Sequence, residues 1–188
     1  MNTVALVFLG LLAFVILSII SIYNSLIAKR NQVKNIRAGV DTQLKKRYDL
    51  IPNLVAAVKE YLTHEKETLT KVTELRNRAI ATTSDVESFE LNSQLSKLLG
   101  NIQVSIEAYP ELKANENIMH LQTTLNELEE QISAARRAYN SSVMIYNNAI
   151  EMFPSSIIAN IFNFQKDKFF ETKGDEKETP NVGNLFNN

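Results

Sequence analysis

Residues 1 to 28 carry no charged side chain, and within them TVALVFLGLLAFVILSIISIY (3 to 23) is apolar almost throughout. At about 1.5 Å per helical residue this run spans roughly 31 Å, one hydrocarbon core. A helix is the single-segment structure that satisfies its own backbone in lipid. No Lys or Arg precedes the run and no small-x-small cleavage site follows it. A retained membrane anchor over 1–28 is therefore expected, rather than a cleaved signal.

The flanks predict its orientation. Lys29, Arg30, Lys34 and Arg37 follow the span, then Lys45, Lys46 and Arg47. The positive-inside rule places the N-terminus outside and the C-terminal side in the cytoplasm, with Tyr23 as an interfacial aromatic. The four membrane-flanking basic residues have two readings. They rest on anionic headgroups, at about 1 kcal/mol each, or they form a solvated helix face that sets topology.

Beyond the span, helical periodicity dominates. Five glycines and four prolines in 188 residues leave little punctuation for a sheet protein. Val33, Ile36, Val40, Leu44, Tyr48 and Ile51 form a stripe that continues directly from the anchor. Pro52 then kinks the path or breaks it very briefly. Leu54, Val58, Leu62, Leu69, Val72 and Leu75 carry the stripe to about residue 80, with Glu67–Lys71 and Glu74–Arg78 as (i, i+4) pairs. Ser84 and Glu87 fit a capping box opening the next helix. Its stripe is Leu91, Leu95, Leu98, Ile102 and Ile106, and Gly100 inside it marks close packing. Pro110 suits a first helical turn after a break.

The last long stripe runs from Ile118 through Leu125, Leu128 and Ile132 to Tyr139, and in the same register through Tyr146 to Phe153. It contains YNSSVMIYNNAIEMFP (139 to 154). Tyr139 and Tyr146 lie two turns apart on one face, so both are predicted on the buried seam, with their hydroxyls bonded at the bundle rim. Asn140 and Asn147 border the seam, where their amides reach a neighbouring helix or loop. Phe153 is predicted to anchor the helix end before Pro154. SSIIANIFNFQKDKFFE then reads as a short amphipathic helix. It docks on the bundle end or enters the membrane interface, and the pattern leaves both open. From residue 171 the chain is polar and reads as a mobile tail.

The predicted fold is all-α: a transmembrane helix (1–28) continuing into a long-helix antiparallel bundle of about four helices (29–170), then a tail (171–188). Catalytic chemistry finds no foothold in the sequence. A net charge of −1 gives no footprint for nucleic acid, and the absence of cysteine excludes disulfides and thiol chemistry. The histidines are His64 and His120; Glu116 and His120 stand one turn apart without the paired Glu-x-x-His of di-iron bundles. Asp49 reads as a structural or capping residue. No enzyme activity, cofactor, metal or small-molecule substrate is expected.

YNSL (23–26), RYDLIPNLVAAVKEYLTHE (47–65), EAYPELKAN (107–115) and RRAYNSSVMIYNNAIEMFPSSIIA (136–159), in this order and behind a charge-free span, resemble the LemA family over essentially the whole chain. The resemblance implies a single-pass protein of the bacterial inner membrane with a cytoplasmic antiparallel helical bundle. Family associations with magnetosome formation and envelope stress imply a membrane-organising role. The expected function is a membrane-anchored, non-enzymatic scaffold or adaptor, self-associating or bound to another membrane protein. The alternative is a direct lipid effector that bends or tethers membrane through the basic juxtamembrane helix and residues 155–170.

Overall fold

Pro52 does not end the first helix. The computed structural model, which describes residues 3–170, has one continuous helix α1 from Thr3 to Val58 with Pro52 inside it. Proline supplies no N–H to the carbonyl four residues back. That carbonyl, on Tyr48, instead accepts a hydrogen bond from Arg76 Nε at 2.6 Å. The helix thus passes the proline with the orphaned acceptor satisfied from outside.

The break comes later than the periodicity predicts. α1 stops at Val58, a 3-10 turn covers Thr63–Glu65, and α2 runs Lys66–Ala81. Leu62 is fully buried in the connection and its N–H bonds Val58 O. The polar run THEKE (63–67) was the sequence signal, masked by an unbroken apolar spacing. The surface pairs also differ. Lys71 bonds Glu74 at 3.0 Å, and Arg78 reaches Glu87 of the next helix at 3.5 Å.

α3 (Asp85–Glu107) begins at Ser84, whose side chain accepts from Glu87 N. The return half of the capping box is rerouted: Thr82 Oγ1 donates to Glu87 Oε2 at 2.7 Å and accepts from Ser84 N at 3.2 Å. The Thr82 hydroxyl holds the Glu87 carboxyl below the usual carboxylate range; desolvation opposes this and Arg78 reinforces it. α4 is the short Pro110–Lys113, α5 runs Glu116–Glu151 and α6 runs Ser155–Ile161. No strand occurs among the described residues. The architecture is all-α.

The described residues form two packed units, and α1 and α5 each contribute to both. The unit built from residues 41–134 and Phe170 is a four-helix arrangement of α1, α2, α3 and α5. α3 and α5 run antiparallel, since Ser96 meets Glu129 while Gln103 meets Asn126. Ile51, Leu54, Val72, Leu95, Ile102 and Ile132 are each at most 1% exposed in its core. Two details depart from the predicted stripe. Leu99 is buried where Leu98 is only half-buried. A Cβ on Gly100 would meet nothing within 4 Å, so this glycine marks no close packing.

The other unit holds residues 3–40 and 135–169. Here Leu26 and Val33 of α1, Val143, Tyr146 and Ile150 of α5, and Ile158 and Ala159 of α6 are all buried. The amphipathic helix predicted after Pro154 stops at Ile161. Asn163 adopts φ 53° and ends it. Asn163 N donates to Asn160 O and Phe164 N to Ala159 O, the paired bonds of a Schellman stop. Asparagine tolerates this left-handed backbone better than most residues, so the FNF triplet was a legible signal. Past it, residues 164–169 form a strap with no regular secondary structure rather than helix. The polar tail predicted over 171–188 lies outside the described residues.

Candidate functional site

The tyrosine–asparagine face of α5 holds the strap. Tyr139 is 5% exposed and Tyr146 is 1% exposed. Tyr146 OH donates to Gln165 O at 3.1 Å, and Tyr139 OH donates to Lys168 O at 3.0 Å. Asn147 completes the set in both directions: its Nδ2 donates to Asp167 O and its Oδ1 accepts from Asp167 N. A segment with no regular secondary structure lacks helical or sheet partners for its backbone, so side chains spaced two turns apart on α5 supply them. Burial raises the Tyr146 phenol above its ordinary value; the Asp167 charge adds to this and Arg30 opposes it. Asn140 is half-buried beside this face.

Phe153 departs from its predicted place. α5 ends at Glu151, so the helical register that would carry Phe153 onto the seam is lost, and its ring is 80% exposed. The aromatic contacts come instead from the strap and the end of α6. Tyr23 of α1 meets the Phe162 ring at 4.7 Å and the Phe164 ring at 5.8 Å. Arg30 places its guanidinium over Phe164, 5.3 Å from the centroid, a cation–π arrangement.

The four juxtamembrane basic residues therefore do different things. Arg30 turns onto the strap. Lys29 Nζ bonds Ser25 Oγ at 2.7 Å. Lys34 is exposed and Arg37 is half-buried.

In the other unit the charged residue that matters is one that sequence reasoning counted only as a flanking cation. Arg47 is 1% exposed. Its Nη1 donates to Ser96 Oγ at 2.7 Å and Glu129 Oε2 at 3.0 Å. Its Nη2 donates to Asn92 Oδ1 and, at 3.3 Å, to Asn92 O. Tyr48 OH donates to the same Asn92 Oδ1 at 2.8 Å, and Asn92 Nδ2 donates to Ser88 O. Ser96 Oγ lies 2.6 Å from Glu129 Oε1 and 3.1 Å from Asn92 O. Its single proton serves the carboxylate, the shorter and charge-assisted bond. Arginine fits because its planar fork engages partners on two helices at once. Asp49, by contrast, is an exposed residue that bonds Lys45, one turn back, at 3.1 Å.

Neither cluster assembles a nucleophile, a base and an oxyanion site. His64 and His120 are both exposed, on the 3-10 turn and on α5. Among the described residues no group of His, Asp and Glu is placed to hold a metal. An open groove of about 830 Å³ lies between the end of α1 and α2. Its walls mix Lys59 and Lys66 with Glu60 and Glu74, without a buried polar group aimed into it.

The apolar end of α1 is a different kind of surface. Its most apolar window is long enough to cross a membrane and has none of its residues buried. Val7, Phe8, Leu11 and Phe14 are all at least 60% exposed. A core helix of a water-soluble bundle would bury such residues.

Comparison with known proteins agrees with this arrangement. The LemA family pattern matches residues 37–183, well over half of the chain. Protein LemA of Metamycoplasma hominis is 26% identical over 165 residues, covering 87% of this chain and 75% of that protein. The magnetosome protein MamQ of Magnetospirillum gryphiswaldense is 22% identical over 191 residues, covering 88% of this chain and 70% of its own. MamQ 2 of Paramagnetospirillum magneticum is similar to the same extent. With its all-α architecture, its long apolar first helix and this match, the chain belongs to the LemA family.

Proposed function

We propose that this chain is a membrane-anchored, non-enzymatic scaffold or adaptor of the bacterial inner membrane. One observation carries the reading: α1 runs from Thr3 to Val58 as a single helix, from the unburied apolar span into both packed units. At about 1.5 Å per residue this is roughly 84 Å of helix without a joint. The span belongs to the same unit as residues 135–169, so it positions that unit rather than merely tethering it. The buried polar groups support the same reading, because they are committed to structure. Arg47 and Asn92 bond each other and their neighbours, and Tyr139, Tyr146 and Asn147 bond backbone. Relatives named as magnetosome proteins point towards building a cellular structure rather than turning over a metabolite. The basic residues Lys29, Arg30, Lys34 and Arg37 favour a cytoplasmic location for the packed units. Confinement to a plane raises the effective concentration of copies and favours assembly.

The test is the mass of full-length protein in native nanodiscs, with co-purifying proteins identified by mass spectrometry. A defined homo-oligomer, or one stoichiometric membrane-protein partner, is the expected result. A strict monomer that retains no partner rejects the scaffold.

A further inference from the structure

A second charge-free stretch lies at the far end of the chain. Residues 152–165 (MFPSSIIANIFNFQ) contain no charged side chain. The charges that bound it, Glu151 and Lys166, pair with each other. Within it Met152 is 64% exposed, Phe153 80%, Ile161 63%, and Ile157 and Phe162 about half. These side chains form an uncovered apolar tip, in the same unit as the uncovered apolar span of α1.

Much of the tip's backbone is bonded within the tip itself. Ser155 Oγ and Ser156 N both donate to Met152 O, and Ile157 N donates to Pro154 O. Pro154 has no N–H to satisfy, and the Schellman stop at Asn163 closes the other end. Apolar side chains over a largely self-bonded backbone suit the boundary of a bilayer.

The level of the tip along α1 follows from contacts within the same unit. Phe164 sits against Arg30, and the next residue, Gln165, accepts from Tyr146. Phe164 also touches Tyr23, so Tyr146 is level with the stretch of α1 between Tyr23 and Arg30. The strap passes from Tyr23 and Phe162 towards Arg30 while its partners on α5 recede from Tyr146 to Tyr139, so α5 runs antiparallel to α1. From Arg30 back to Tyr23 is roughly 10 Å along the helix, and from Tyr146 forward to Met152, just past the end of α5, is roughly 9 Å. The tip thus stands at Tyr23 or beyond it towards the apolar span, and Phe162 touches that tyrosine.

We propose that Met152, Phe153, Ile157, Ile161 and Phe162 form a second, monotopic membrane contact, inserted into the same leaflet that α1 leaves. Its ligand is the boundary between headgroups and acyl chains, a region that favours aromatic and aliphatic side chains over charges. Lys29 and Lys166 stand just outside the charge-free zone, at headgroup level. The contact deepens the anchoring reading above and rests on it: the unit of residues 3–40 and 135–169 meets the bilayer at two places instead of swinging on α1 alone.

The chain has no cysteine, so single-cysteine variants of the full-length protein can carry a fluorophore without background. Phe153→Cys and Ile157→Cys, labelled in nanodiscs, are compared with Leu17→Cys in the span and Val104→Cys on α3, which is 73% exposed. The quenchers are lipids brominated near the headgroup end of the acyl chain, and aqueous iodide. The expected pattern is quenching by brominated lipid at 17, 153 and 157 and by iodide at 104. Iodide quenching at 153 and 157, with 17 still in lipid, overturns the contact and leaves the anchor standing. Protection of 153 and 157 from both quenchers assigns the tip to a protein partner or a second copy, and also overturns it. Iodide quenching at 17 removes the anchor itself.

Discussion

The two polar clusters solve opposite problems. Around Arg47, side chains from α1, α3 and α5 bond one another, and the guanidinium is the hub. On the tyrosine–asparagine face, side chains of the single helix α5 bond the backbone of a segment with no regular structure. The first is a network of mutual dependence, in which removing one member takes a partner from several others at once. The second is a row of parallel fastenings, each holding its own backbone group. The difference teaches where this fold is brittle and where it is graded.

Arg47→Ala should give the largest effect. It leaves a cavity, takes one donor each from Asn92 Oδ1, Asn92 O, Ser96 Oγ and Glu129, and removes the cation beside the Glu129 carboxylate, while Tyr48 still donates to Asn92 and Ser96 to Glu129. Breaking a buried hydrogen-bonded charge typically costs about 3–5 kcal/mol. Glu129 is 40% exposed and finds water, which places the expectation towards the lower end. Thermal unfolding of the full-length protein in detergent, followed by helicity, measures it. A loss below about 1 kcal/mol would mean the cluster rearranges freely, and the contrast between the regions would collapse.

Tyr146→Phe should cost about 1 kcal/mol, the net worth of one neutral hydrogen bond. The loss should be local, with faster amide exchange confined to the strap around residues 165–168. The same variant tests the titration. The folded-state pKa of Tyr146 is raised, so the unfolded chain gives up its proton first as pH rises. The stabilisation is complete below the unfolded value of about 10 and declines as pH climbs from there towards the folded value. Phenolate also cannot donate to Gln165 O. Tyr146→Phe should flatten this alkaline decline. An unchanged alkaline profile would move its cause elsewhere, and exchange rising throughout α5 would make the strap part of a network like that of Arg47.

How legible the two regions were in sequence follows from the same contrast. The strap's holders are seven apart on one helix, so periodicity placed Tyr139 and Tyr146 on one face, with Asn147 at its border. Their partners, backbone atoms of residues 165–168, were hidden because the local pattern there favours helix until Asn163 turns the chain. Arg47 looked like the last of three consecutive cations, and only its place on the stripe with Leu44, Tyr48 and Ile51 hinted at burial. Its partners are 45 to 82 residues away, a distance no local spacing reaches. Pro52 was visible as a disturbance, yet its remedy, Arg76, was not, because the rescue comes from the next helix. Phe153 failed for a local reason: the stripe was extended past the true helix end, as a spacing argument does where no cap signals the stop.

The smallest expected effects make the sharpest test of whether the regions behave as two units. Gly39, in α1, and Gly100, in α3, are both helical, and an added Cβ meets nothing within 4 Å at either. They belong to different units. Glycine in a helix interior costs about 0.5–1 kcal/mol relative to alanine, because it has more freedom to lose. Gly39→Ala and Gly100→Ala should each stabilise by about that amount, without touching a single packed contact. If the units unfold separately, Gly39→Ala raises one transition and Gly100→Ala the other. If α1 and α5 make them one cooperative body, both variants raise a single midpoint equally and the double variant adds the two shifts. Destabilisation by Gly100→Ala would instead restore the close packing that its position on the α3 stripe suggested, against the open space beside it.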